Sequence, residues 1–124
     1  MRAPERIDAL RVVASPQALD DMAWPDDVAA LRLASDDLLA VGAASVQVSG
    51  EHIVVDEAGF VGWWLGPDEV ATHLLPHLDW PLPPERPALT QGLIAGVPAK
   101  LWLAEDRALL LCAAAYAHEL MERL

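Results

Sequence analysis

Hydrophobic positions alternate along much of this chain, with turn residues between the runs, so the pattern reads first as hairpins. Residues 7–13 (IDALRVV) form a strand. Ser15-Pro16 then opens a short helix to about Met22, with serine in the capping position and proline in the first turn. Leu31-Arg32-Leu33 alternates, Ser35-Asp36-Asp37 turns the chain, and Leu38 to Val41 returns it. Val46, Val48, Ile53 and Val55 continue the alternation, and Phe60 to Leu65 (FVGWWL) is a strand apolar on both faces.

Gly66-Pro67-Asp68-Glu69 is the clearest helix start, since proline needs no amide partner there and two acids sit at the positive end of the helix dipole. The stripe Val70, Ala71, Leu74, Leu75 and Leu78 predicts a helix over about 67–78, ended or kinked by Pro76. A proline-rich loop (residues 81–88) follows. Leu89 to Ala95 is a strand turning at Gly96. Residues 97–103 alternate, Glu105-Asp106 turn, and Arg107 to Cys112 return. The spacing of Ala113, Tyr116, Ala117, Leu120, Met121 and Leu124 predicts a closing helix over about 113–124, with Glu119 and Arg123 paired on its other side. The fold class is therefore α+β: antiparallel sheet built from hairpins, two main helices and one short N-terminal helix.

One short repeat runs through this pattern. Leu31-Arg32-Leu33-Ala34-Ser35-Asp36 resembles Leu101-Trp102-Leu103-Ala104-Glu105-Asp106, each a strand entering an acidic turn before a leucine-rich return. Duplication of a module and chance in a chain rich in Leu and Ala both account for it. With 124 residues the chain is expected to be one domain, with possible halves at 1–56 and 57–124.

Charge narrows the partners. Nineteen acids against eight bases give a net charge of −11, and the bases are scattered singly. Phosphate neutralisation supplies most nucleic-acid affinity, so a nucleic-acid partner is not expected, nor is an anionic membrane surface. The longest apolar run, 108–117, is about half a membrane span. No apolar leader precedes a cleavage site, and a lone thiol at Cys112 suits a reducing compartment, so a cytoplasmic location is expected. An apolar fraction of 54% is high for a chain this size, which points to a protein partner or self-association.

Chemistry-bearing patterns are sparse, and no catalytic residue is expected. His73 and His77 are four apart with Asp79 close by, the nearest approach to a metal-ligand set and the basis of a metal-dependent enzyme as one alternative. Pro76 interrupts the helix between them and the glutamate of HExxH is missing, so no metal is expected. Cys112 follows a leucine run and reads as a small buried hydrophobe. Paired acids recur (Asp20-Asp21, Asp26-Asp27, Asp36-Asp37, Asp56-Glu57, Asp68-Glu69, Glu105-Asp106), but mostly at turns or helix starts, where local hydrogen bonding favours them. No glycine pattern forms a phosphate loop. Tryptophans are the remaining signal. Adjacent strand residues point to opposite faces, so only one of Trp63 and Trp64 faces the core of a two-layered fold. Trp102 lies opposite Leu101 and Leu103, and Trp80 leads the proline-rich loop. Trp63, Trp64, Trp80 and Trp102 are the candidate ligand or partner contacts, with ordinary core packing as the alternative.

Gly66-Pro67-Asp68, Ala95-Gly96-Val97-Pro98, Leu101-Trp102, Glu105-Asp106 and Tyr116, in that order, resemble the folate-binding fold shared by the glycine-cleavage T-protein and the sarcosine oxidase γ subunit. The likeness covers about 70 residues of the C-terminal half, and the hairpin LRLASDDLLAVG is similar to one in the first half of that fold. This chain is shorter than either relative. In the γ subunit, redox chemistry belongs to partner subunits. The resemblance therefore implies a non-catalytic accessory or interaction domain working in an oligomer. A small-molecule binder for a folate-like heterocycle is the alternative, and folate is the only cofactor the resemblance suggests. No active-site residue carries over.

Overall fold

The computed structural model describes all residues, Met1–Leu124. Its nine strands are β1 (Glu5–Arg6), β2 (Ala9–Ala14), β3 (Ala29–Ala34), β4 (Asp37–Val41), β5 (His52–Glu57), β6 (Phe60–Leu65), β7 (Ala88–Ile94), β8 (Val97–Leu103) and β9 (Ala108–Ala113). All pairings are antiparallel, in one sheet of order β1-β6-β9-β8-β7 and a second of order β3-β4-β2-β5. With a few short helices this is the α+β class read from the sequence. The chain divides into two compact units: Ile7–Ala58, and Met1–Arg6 with Gly59–Leu124. The first six residues thus join the C-terminal unit through β1, which pairs with β6.

In the unit Ile7–Ala58, Val12, Ala14, Leu38 and Ala40 share one face of the sheet and pack with Ala18 and Leu19 of α1 (Pro16–Asp20). The α1 start is as expected: Pro16 lies in the first turn, and the Ser15 hydroxyl accepts the Ala18 N–H at 3.2 Å. Val46 and Val48, expected to extend a strand, lie outside the sheet and pack against this cluster, as does Trp24. Positive φ angles at Gly42 (86°) and Gly50 (82°) take the chain out of the extended region on either side of them, so pairing resumes only at His52.

In the other unit, Trp63, Leu65, Ile94, Val97, Ala99, Leu101, Leu103, Ala108, Leu110 and Cys112 form one buried face, with Leu74 and Leu120 from the helices packed on it. The first helix begins at Pro67, as α2 (Pro67–Glu69), with the Glu69 carboxylate accepting the Gly66 N–H at 3.2 Å. It is not regular over 67–78. A π-helical turn (Val70–Leu74) follows, with the Leu75 N–H reaching back to the Val70 carbonyl, and then a 3-10 turn (Leu75–His77). Pro76 has no amide to return to Thr72, so the α-helical ladder cannot pass through it. At the C-terminus, β9 runs to Ala113, a 3-10 turn covers Ala114–Tyr116, and α3 spans Ala117–Arg123. Ala117, Leu120, Met121 and Leu124 pack on the cluster. Tyr116 leaves the expected stripe and is exposed, because the 3-10 turn changes its phase relative to α3.

The two sheets share a plan. β3-β4-β2-β5 corresponds to β8-β9-β6-β1, with β7 added outside β8. The repeated segments 31–36 and 101–106 occupy corresponding places, each at the turn of the hairpin that pairs onto the first long strand of its unit.

Candidate functional site

The sheet distributes the candidate tryptophans rather than gathering them. Trp63 is buried on the clustered face, and its indole N–H donates to the Arg2 carbonyl at 2.7 Å. Trp80 packs partly buried against the same cluster, donates to the Thr90 hydroxyl at 3.1 Å, and lies over Gly92, where an added Cβ would come within 3.2 Å of the ring. Trp64 and Trp102 occupy the opposite face, as the strand registers require. Their rings meet edge to face, with the Arg107 guanidinium 4.5 Å from the Trp64 centroid.

The polar candidates are not brought together. His73 lies in the π-helical turn and His77 in the 3-10 turn, so the change of pitch between them removes the shared face that a regular helix would give. No group of three or more His, Cys, Asp or Glu is placed to hold a metal ion, and His73, His77 and Asp79 are therefore not assembled as a ligand set. Asp37 accepts two hydrogen bonds from Arg11 (3.0 and 2.6 Å), which also approaches Glu57 at 3.7 Å. The hydrogen bond to Asp37 raises the Arg11 pKa further. Arg2 pairs with Glu69 and, together with the Gly66 amide, holds that carboxyl below the usual range. Burial pushes the Cys112 thiol up, the opposite of what a reactive nucleophile needs.

Two features remain open. One is a recess of about 380 Å³ beside β6, β8 and β9, walled by Phe60, Leu93, Pro98 and Tyr116 over Leu111. Lys100 lies at its edge, 5.9 Å from the Phe60 ring centroid, and donates to the Gln91 amide oxygen at 2.7 Å. Its apolar walls and single ammonium suit a small anion with an apolar body. None of the candidate tryptophans lines it.

The second feature is the outer edge of β5. It pairs with β2 on one side only, and five of its six residues are exposed. Ile53 and Val55 flank the same face as Val13, and all three are large exposed hydrophobics; Val54 is exposed on the other face. Exposed apolar edge strands are rare because their unpaired amides and carbonyls invite another strand. The remaining edges are blunted. β1 has two residues, β3 is bulged between Arg32 and Ala34, and β7 carries Gly92 in its interior. At the β3 bulge the Arg32 guanidinium folds back on the Ala34, Ser35 and Pro16 carbonyls. Sequence reasoning passed over this edge because it read β5 as one more half-buried strand. The run Ile53-Val54-Val55, with no polar residue to alternate, was the available signal.

No helix is long and apolar enough to cross a membrane. No family model, curated protein or solved structure matches this chain.

Proposed function

We propose that this chain is a non-catalytic accessory or interaction domain, of the sarcosine oxidase γ type that its C-terminal half resembles, working inside an oligomer. The observation that carries the proposal is the open, apolar outer edge of β5, whose exposed Ile53, Val54 and Val55 suit pairing with another strand more than contact with water. A protein partner, rather than nucleic acid, also follows from the charge of −11. A cytoplasmic location accompanies this reading. Native mass spectrometry of the protein purified from its own host tests it. The expected result is a homo-oligomer or a complex with a companion chain, and a bare monomer under all conditions would overturn it.

The recess beside Phe60 and Tyr116 favours a second reading, a binder of a small anionic heterocycle, with folate the member suggested by resemblance. Titration with a tetrahydrofolate while following tryptophan fluorescence tests this. Trp102, on the sheet face that bears the recess, supplies a reporter, and no change at millimolar ligand would remove folate.

A further inference from the structure

We infer that the strand seated on β5 is β5 of a second copy of this chain, in antiparallel register about Val54. The inference rests on the interaction-domain reading and names its partner. Symmetric antiparallel pairing places a two-fold axis normal to the sheet, so one residue faces its own copy and its neighbours pair across it. Three centres fall on the apolar run. About Ile53, His52 would face Val54 of the copy, and Glu51 would face Val55. About Val55, Val54 would face Asp56, and Ile53 would face Glu57. Both registers set carboxylates or histidine against valine and isoleucine.

Only the axis at Val54 matches like with like. Val54 meets Val54, Ile53 meets Val55, and His52 meets Asp56 of the copy. The faces agree as well. Ile53 and Val55 lie with Val13 on one side of the sheet, while His52, Val54 and Asp56 lie on the other, opposite Ala14, Val12 and Leu10 of β2. Four apolar side chains therefore close over one face around each two-fold partner pair, flanked on the other by two histidine–carboxylate contacts. The His52 ring is already oriented, with Nδ1 2.7 Å from the Gly50 carbonyl, which can only accept. That leaves Nε2 as the ring nitrogen available to the Asp56 carboxylate of the copy. Glu57, the one like-charged neighbour of Glu51 in this register, is drawn back by Arg11 at 3.7 Å. The product is a continuous eight-stranded sheet made from two four-stranded ones. One strand per copy is a small interface, so the dimer is expected to be reversible and concentration-dependent.

The test combines sedimentation equilibrium with register-specific cross-linking on the full chain. Val54→Cys is expected to form a disulfide dimer with itself under mild oxidation. Ile53→Cys and Val55→Cys are expected to cross-link with each other when mixed and poorly when alone, because only opposed positions approach closely enough. The buried native Cys112 serves as the unreactive control in the parent protein. Val54→Lys, an exposed edge substitution that leaves the fold intact by circular dichroism, is expected to weaken self-association roughly tenfold or more by placing like charges on the axis. A parent protein that stays monomeric to millimolar concentration overturns the second copy as occupant. If native mass spectrometry then finds a companion chain whose binding Val54→Lys abolishes, the interaction-domain reading stands without this inference. A dimer indifferent to Val54→Lys and silent in all cross-links overturns β5 as the interface.

Discussion

Trp64 and Trp102 meet edge to face across β9, ring centroids 6.1 Å apart and planes at 90°, with the Arg107 guanidinium over both rings at 4.5 and 5.8 Å. The two indoles and the guanidinium form a cation–π cluster beside the β8–β9 turn. Arg107→Ala is expected to cost about 1 kcal/mol, the order of a partly exposed cation–π contact. The readout is a lowered urea midpoint with an unchanged slope, and Arg107→Lys should recover part of the loss. No change in midpoint for Arg107→Ala would mean that the cation only rests on the rings.

The β7–β8 hairpin turns through Ala95 and Gly96, which have φ of 50° and 81°. Ile94 and Val97 close it, leaving a two-residue loop with both residues left-handed. Glycine adopts that conformation without strain and alanine only at a cost of about 1 kcal/mol, while asparagine is the usual first residue of such turns. Ala95→Asn is therefore expected to stabilise the protein by up to about 1 kcal/mol. Arg123 reaches the Ala95 carbonyl, a backbone group, at 2.8 Å, so the substitution leaves that hydrogen bond in place. Thermal unfolding of the two proteins side by side is the measurement.

Glu69 titrates below the ordinary carboxyl range because Arg2 pairs with it and the Gly66 amide donates to it. Its folded value lies below its unfolded one, so it contributes stability that is present above the unfolded value and lost as pH falls through the folded value. In Arg2→Ala the Glu69 carboxyl should titrate higher, nearer the unfolded range, as followed by carbon-detected NMR. The acid limb of the stability profile should shift up with it.

Cys112 lies buried in the central strand β9, and that burial raises its pKa. A raised value favours folding while the thiol is protonated and is lost as pH climbs from the unfolded value through the folded one. Alkylation by iodoacetamide at mildly alkaline pH should therefore proceed only through unfolding, its rate rising with urea. Rapid modification of the native protein would show an opening of β9 that the packing gives no reason to expect.

Much of the architecture was legible from residues 1 to 124 because its signals are local. The strand at 60–65, the helix start at Pro67, the Ser15-Pro16 cap and the Glu119–Arg123 pair all depend on neighbours within a few positions. Hydrophobic alternation places Trp63 and Trp64 on opposite faces whatever the sheet around them. Even the repeat at 31–36 and 101–106, found by letter similarity alone, lands at corresponding hairpins.

Strand order and edge position were decided only in three dimensions. Alternation says that β5 is a strand; it does not say that β2 takes one of its sides and nothing takes the other. Nor does it say that β1 leaves its neighbour β2 to pair with β6. Both are long-range choices, made by which buried faces fit together. The same applies to the candidate site. The apolar excess and the tryptophans are legible as a sign of contact, but only the tertiary structure places Trp63 in the core and leaves Ile53, Val54 and Val55 exposed, because exposure is a property of neighbours in space and not of neighbours in the chain.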